Sequence, residues 1–230
     1  MKFEKTDVWG FEHAIRGMRN PLESWGKSDS YYGNNEIGLE SYVIGEKDLE
    51  LMQKLIKAGS EHRKFMRQIL VSVDITAPLY WWKEADTYKI GTVSNSCSTM
   101  HKLASTPITM DCFEMDDFEY VNCSKPKNDI DSPTFSGDMW IKLLDYLERL
   151  RQKYNETKDK RYWKELIRLL PESWLQKRTV TMNYENLLNM CSKRQRRFHK
   201  LTEWSKSFID WARSLPYAQE LLFGDEYYAQ

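Results

Sequence analysis

Two runs of β-branched residues, 69–75 (ILVSVDI) and 179–181 (TVT), stand over a hundred residues apart in a chain whose remaining periodicity is helical. Strand signals this sparse, with no regular alternation of strand and helix between them, predict an α+β fold. The expected architecture is a mixed or antiparallel sheet flanked by long helices, in a single domain over residues 1–230. Between residues 48 and 58, Leu49, Leu51, Met52, Leu55 and Ile56 fall at helical spacing, and Gly59 is a natural stop. From Asp138 onward Trp140, Leu143, Leu144, Leu147, Leu150 and Tyr154 share one helical face. A second helix over 161–170 is ended by Pro171, and Leu187, Leu188, Cys191 and Phe198 line a third. Leu201, Trp204, Phe208, Trp211 and Leu215 belong to a last helix that should stop near Pro216.

The remaining segments are shorter. Residues 11–18 look helical and lead into a polar loop over 26–38. Pro78 suits the first turn of a short helix carrying Leu79, Tyr80, Trp81 and Trp82, because its missing N–H is not needed there. A short strand is expected over 88–93. The row SNSCST that follows is too polar for a core and reads as a loop built to hold something. Residues 111–133 are acidic, broken by Pro and Asn, and read as a surface excursion.

Charge excludes one class of function. Thirty-four basic side chains against thirty-four acidic ones leave no bulk attraction to nucleic acid or to a membrane surface. No apolar run approaches the roughly 20 residues of a membrane helix. The start, MKFEKTDVWG, has no apolar stretch of the secretory kind. Cys97, Cys112, Cys123 and Cys191 show no metal-ligand spacing, so free thiols in a reducing cytoplasm are expected, and no metal. Nine Trp, thirteen Tyr and nine Phe imply large flat contacts in the core, at a subunit interface or around a planar ligand.

Longer patterns carry a resemblance. His62 precedes the first strand signal, Ala77-Pro78 follows it, and YKIGTVSNSCSTMHK comes next. Far downstream, Leu170-Pro171 is followed after about a dozen residues by NYENLLNMCSKR, 183–194, and then by His199. This order resembles the flavin-dependent thymidylate synthases over 59–102 and 166–216, roughly two fifths of the chain. That family reads R-H-R-x-x-S-x-x-x-x-S-x-R in its first half. In its second half it reads L-P, then N-x-R-x-L-x-N-F-x-x-x-R, then His.

The resemblance implies reductive methylation of dUMP to dTMP, with FAD as cofactor and methylene-tetrahydrofolate and NADPH as co-substrates, in a homotetramer that shares its sites between subunits. Carried over residue by residue, it implies that His62, Thr87, Tyr88, Lys89, Asn183, Asn189 and His199 meet the flavin. Glu84, Asn95, Cys97, Ser98, Thr99, Arg168 and Arg194 would meet the pyrimidine nucleotide. Several positions depart from the pattern. R-H-R is Thr87-Tyr88-Lys89, the two loop serines are Thr92 and Cys97, and the closing arginine is Thr99. Glu185 replaces the arginine between the two asparagines, His199 lies five residues beyond Arg194 where the family has four, and Arg168 is displaced by one.

Plainer readings stand beside these. Asn183 suits a helix N-cap, His62 a surface, and the 80–82 stripe a core. Arg194 belongs to KRQRRFHK, which also suits a solvated helix end complementing the dipole, with Arg196 and Arg197 on the solvated side. Cys97 fits a small, partly buried, inert thiol better than a nucleophile, which would need a neighbouring cation or base. Two alternatives to dUMP methylation follow from the lost arginines: C5 modification of another pyrimidine nucleotide, or nucleotide binding without catalysis.

Overall fold

The computed structural model describes residues 1–34, 40–116 and 137–224. In chain order the elements are β1 (Lys2–Trp9), α1 (Phe11–Arg19), β2 (Tyr31–Asn34), β3 (Glu40–Val43), α2 (Glu46–Lys57), β4 (Leu70–Pro78), α3 (Leu79–Ala85), β5 (Val93–Ser96) and α4 (Thr99–Lys102). Then follow α5 (Gly137–Thr157), α6 (Lys160–Leu169), β6 (Leu175–Asn183), α7 (Tyr184–Met190), α8 (Lys193–Phe198), a π-helical stretch (Glu203–Phe208), α9 (Ile209–Arg213) and α10 (Ala218–Leu221). Four strands form one sheet in the order β1-β4-β6-β5, and β2 pairs with β3 in an antiparallel hairpin that sets Tyr31 opposite Val43. The α+β class is borne out.

The chain divides into two compact units. The first comprises Met1–Ile75, Glu84–Asn95 and Thr179–Gln230, and the second Thr76–Lys83 and Ser96–Arg178.

In the first unit, period-two alternation on β4 buries Val71, Val73 and Ile75. The opposite face is polar and is tied to β6 by Ser72 with Thr181 at 3.0 Å and by Thr179 Oγ1 donating to Asp74 at 2.6 Å. Phe11, Ala14, Ile15 and Met18 form the buried stripe of α1. That helix leaves β1 through Gly10, whose φ of 98° and tight fit, with a Cβ only 2.1 Å from the Gln68 carbonyl oxygen, admit no other residue. Behind α2 lies a buried ion pair. Arg19 Nε donates to Asp48 Oδ1 at 2.7 Å, and Oδ2 accepts from the hydroxyls of Ser28 and Ser30 and from the N–H groups of Asp29 and Ser30. Burial would raise the Asp48 carboxyl, but these donors together hold it below the ordinary range.

The C-terminal part of this unit is a chain of rings. Phe3 of β1 stacks on Trp211 at 4.9 Å, Trp211 meets Phe208 at 5.5 Å, and Phe208 meets Trp204 at 5.3 Å. Trp204 and Phe208 sit in the π-helical stretch, and the Trp204 indole donates to the Met190 carbonyl at 3.2 Å.

In the second unit α5 and α6 pack around Leu103, Ile108, Phe113, Leu147, Leu150 and Leu166. Glu148 of α5 holds the 104–108 segment in place. It accepts from the Ile108 N–H at 2.9 Å and from Arg151 Nε at 2.7 Å, while Arg151 Nη1 reaches the Ala104 carbonyl. The Arg151 hydrogen bond, with that backbone donor, holds the Glu148 carboxyl down at about 2. Trp81 and Trp82 of α3 are buried in the core and Tyr80 is half-buried.

Several expectations are corrected. Pro78 ends β4 and does not open α3. Residues 88–92 form turns, and the strand comes later, at β5. The helix expected through Leu187 and Phe198 is two helices, interrupted at Cys191 and Ser192, and Phe198 stands 76% exposed. The loop expected over 26–38 contains β2, and β1 has no counterpart among the expected elements. Of the excursion expected over 111–133, residues 117–133 lie outside the described residues. Phe113 is core, bridged to Trp174.

Candidate functional site

In the first unit the segment after α3 folds back as consecutive turns. The N–H groups of Thr87, Tyr88 and Thr92 donate to the carbonyls of Glu84, Ala85 and Lys89. Asn186 of α7 clasps these turns from below, its Nδ2 donating to the Ile90 carbonyl at 2.6 Å. The turns close at Gly91, where φ is 75° and an added Cβ would lie 2.7 Å from Asn183 Nδ2. Asn183 caps α7, its Oδ1 accepting from the Asn186 N–H at 2.9 Å. The N-cap reading of Asn183 is therefore correct, and its amide nitrogen also faces the turns.

A substitution follows directly. Gly91→Ala should cost about 1–2 kcal/mol from the left-handed backbone alone, and should loosen the turns by pushing on Asn183. Chemical denaturation measures this, and wild-type stability in that variant would contradict the tight fit.

Tyr88 is the pivot. Its hydroxyl accepts from Gln195 Nε2 at 2.5 Å, and its ring packs on Trp204 at 5.6 Å. Burial, aided by the Glu84 carboxylate, raises the phenol above its ordinary range against the opposing pull of Gln195 and Arg194. Tyr88 is thus neutral at physiological pH. His199 also stacks flat on Trp204, with centroids 4.9 Å apart and planes 8° apart, and its Nε2 lies 3.7 Å from Glu84 Oε1.

The structure therefore gathers Glu84, Thr87, Tyr88, Lys89, Asn183, Arg194 and His199 around one set of turns, anchored to the ring chain of the core. The side chains of Lys89 and Arg194 are exposed and, among the described residues, form no ion pair or hydrogen bond. Two free cations beside a neutral phenol make a donor set suited to a phosphate.

Asn189 and His62 lie apart from this group. Asn189, exposed at the end of α7, accepts from Arg63 Nη2 at 3.5 Å, and His62 is exposed in the turn after Gly59. Glu185, the charge-reversed motif position, is buried between two arginines. Arg63 Nε donates to Oε1 at 3.2 Å and Arg67 Nε to Oε2. Burial would raise this carboxyl, and the Arg67 and Arg63 contacts bring it below the ordinary range.

Arg196 needs correction. It is not simply solvated, since Nη1 donates to the Cys191 carbonyl at 2.5 Å and its guanidinium lies 5.3 Å from the Phe223 ring centroid. Arg197 is exposed as expected.

The polar row 94–99 is only in part the expected loop: Ser94–Ser96 belong to the exposed strand β5, Cys97 and Ser98 connect it to α4, and Thr99 opens that helix. Asn95 stands on β5 at the end of the first unit's portion. In the second unit the Cys97 N–H donates to the Lys177 carbonyl, and Gln176 Nε2 donates to both the Cys97 carbonyl and Thr99 Oγ1 at 3.1 Å. Ser98 precedes α4, and Arg168 is spent on an exposed pair with Glu165 at 3.2 Å. Cys97 is exposed, contrary to the expectation of partial burial; among the described residues the buried thiol is Cys191, pushed up to about 12 by burial.

Gln195, Trp204, Asn186 and Gly91 were not among the expected site residues. Gln195 had a signal: Ser192 accepts from its N–H, and S-x-x-Q is a helix-start box.

Comparison with solved structures identifies the fold as that of the flavin-dependent thymidylate synthases. The chain is similar over 98% of its length to the flavin-dependent thymidylate synthase ThyX from Helicobacter pylori complexed with FAD and dUMP, covering 99% of that chain with a TM-score of 0.65 at 18% identity. It is also similar to a UMP/dUMP methylase PolB from Streptomyces cacaoi bound with 5-Br UMP, with a TM-score of 0.60, 14% identity and coverage of 97% and 93% of the two chains. No protein-family model matches the chain, and no curated protein matches it in sequence. The resemblance carried by the motifs is borne out in the fold. Among the described residues no helix is long and apolar enough to cross a membrane.

Proposed function

We propose that this chain binds FAD and a pyrimidine nucleotide and methylates the pyrimidine at C5, dUMP to dTMP being the leading reaction. One observation carries the reading. Segments about a hundred residues apart, 84–91 and 183–199, meet in one place and offer Lys89 and Arg194 as free cations beside Tyr88. They do so on a fold shared with proteins crystallised with FAD, dUMP and 5-Br UMP. The exposed donors of this place suit the phosphate of a nucleotide.

Bound flavin, reduced by NADPH, and methylene-tetrahydrofolate supply the hydride and the carbon. The chain supplies position and charge. Arg194 holds the nucleotide through its fixed fork of donors, and Lys89 adds a point charge to a phosphate. Tyr88 offers a neutral hydroxyl, oriented by Gln195. His199 presents an imidazole edge whose plane is set by Trp204. Ser94 and Asn95 bring a hydroxyl and an amide along the exposed strand β5. Cys97 has no protein nucleophile's setting, because among the described residues no base bonds its sulfur. The working assembly is a homotetramer.

A second reading, UMP in place of dUMP, is favoured by the PolB neighbour bound with 5-Br UMP. Titration of the purified chain with FAD, followed by incubation with NADPH, methylene-tetrahydrofolate and either nucleotide, tests both. The expected result is a yellow protein and a product heavier by one methylene, seen by mass spectrometry. A chain that binds neither FAD nor nucleotide would overturn the proposal.

A further inference from the structure

Glu185 reverses the charge at a position where the related motif carries arginine, and a buried carboxylate there has to be compensated. Compensation comes from a different element. Arg63 precedes the short turn of 3-10 helix Lys64–Gln68, Arg67 lies within it, and both reach the Glu185 carboxylate. Glu185 is shared by the two guanidinium groups, and the Glu61 carboxylate acts on Arg67 as well.

The two arginines are not equivalent. Arg67 is 52% exposed, whereas the Arg63 side chain is 22% exposed and lines a cavity of about 330 Å³. A guanidinium carries five N–H donors. Arg63 uses one on Glu185 and one on Asn189, so it is fixed at two points on α7 with the remaining donors uncommitted among the described residues.

The cavity is built for an amphipathic ligand. Ile56, Leu188 and Leu221 give it an apolar wall, while Lys57, Lys193 and Arg196 join Arg63 against the single acid Glu220. Its volume lies in the range of small-molecule sites. This concentration of cations is local, since the chain as a whole has a formal net charge of +0.

We infer that this cavity binds the anionic part of a ligand with a planar apolar body, and that Arg63, which lies outside the motif carrying Glu185, is the cation that holds it. The ligand class rests on the flavin and folate reading above: a flavin diphosphate or a folate carboxylate presents the same chemistry. Arg63 takes over from α7's lost arginine, and Glu185 acts as its positioning residue. The cation stands on a different element from Glu185 and lies beside Asn189.

Binding to the full chain separates the possibilities, because Arg63→Ala and Arg67→Ala each remove one partner of Glu185 and leave the other. Titrations with FAD, riboflavin and 5-formyltetrahydrofolate, followed by fluorescence, are compared across wild type, Arg63→Ala and Arg67→Ala. Arg63→Ala should weaken the anionic ligand about thirty-fold or more, and Arg67→Ala should stay within about threefold, as expected for an exposed pair. Loss confined to FAD, with riboflavin unaffected, identifies the diphosphate as the group held; loss confined to 5-formyltetrahydrofolate identifies the carboxylate. Unchanged FAD and folate binding in Arg63→Ala would overturn the inference and leave the proposed function standing. Equal losses in both variants would also overturn it, since the arginines would then only support the fold. A wild-type chain that binds folate but no flavin would overturn the flavin reading alone, and one that binds no anion would overturn both.

Discussion

Replacing Asp48 by alanine is expected to remove about 3–5 kcal/mol of folding stability, the cost of leaving a buried arginine without its partner. Arg19 and Asp48 are 5% and 0% exposed, and the carboxylate also gathers Ser28, Asp29 and Ser30, so several donors lose their acceptor together. Asp48→Asn should cost less, because one oxygen remains to accept. The sign of the pH dependence follows from the lowered carboxyl. Its stabilisation is complete above the ordinary aspartate range and is lost as pH falls through and below it. Urea denaturation of wild type and Asp48→Asn between neutral and acidic pH measures the difference. A gap between the two proteins that widened on acidification would contradict the assignment.

Arg194→Ala should weaken dUMP binding by on the order of 2–4 kcal/mol, thirty-fold or more. Arg194 is exposed and free at the start of α8, close enough to Tyr88 to pull on its phenol. Its neighbours are poor substitutes. Arg196 is committed to the Cys191 carbonyl and packs on Phe223, and Arg197 is exposed beyond it. Arg197→Ala should therefore barely register in calorimetry with dUMP, UMP and dCMP. Equal small losses at both positions would reduce the stretch to a charged helix end.

What the sequence made legible is what periodicity and punctuation encode. β4 alternates cleanly, α2, α5 and α6 carry unambiguous stripes, and Pro171 and Pro216 stop helices where expected. β1 was illegible because KFEKTDVW is charged and largely exposed, with Phe3 finding its partner, Trp211, at the far end of the chain. β2 and β3 are four residues each and polar, with no run long enough to show a period. The break at Ser192 was hidden by apolar spacing that continued across it. At the site, the motifs placed Tyr88, Lys89, Asn183 and Arg194 in one neighbourhood. They carried no position for Arg63 or Arg67, since a compensating charge supplied by another element leaves no trace in local spacing.

The π-helical stretch Glu203–Phe208 has a consequence for how this chain tolerates changes of length. Each residue removed from an α-helix rotates everything after it by about 100°, which for α9 would swing Trp211 off Phe3 and Phe208. A π turn holds one residue more than the α turn it replaces. Deleting one residue among Ser205, Lys206 and Ser207 would therefore tighten the turn to α geometry and leave Trp211 and Leu215 in phase. The same deletion two turns later would not. The helix carries a spare residue beside the candidate site, a point at which the lineage could gain or lose a position without refolding the ring chain behind it.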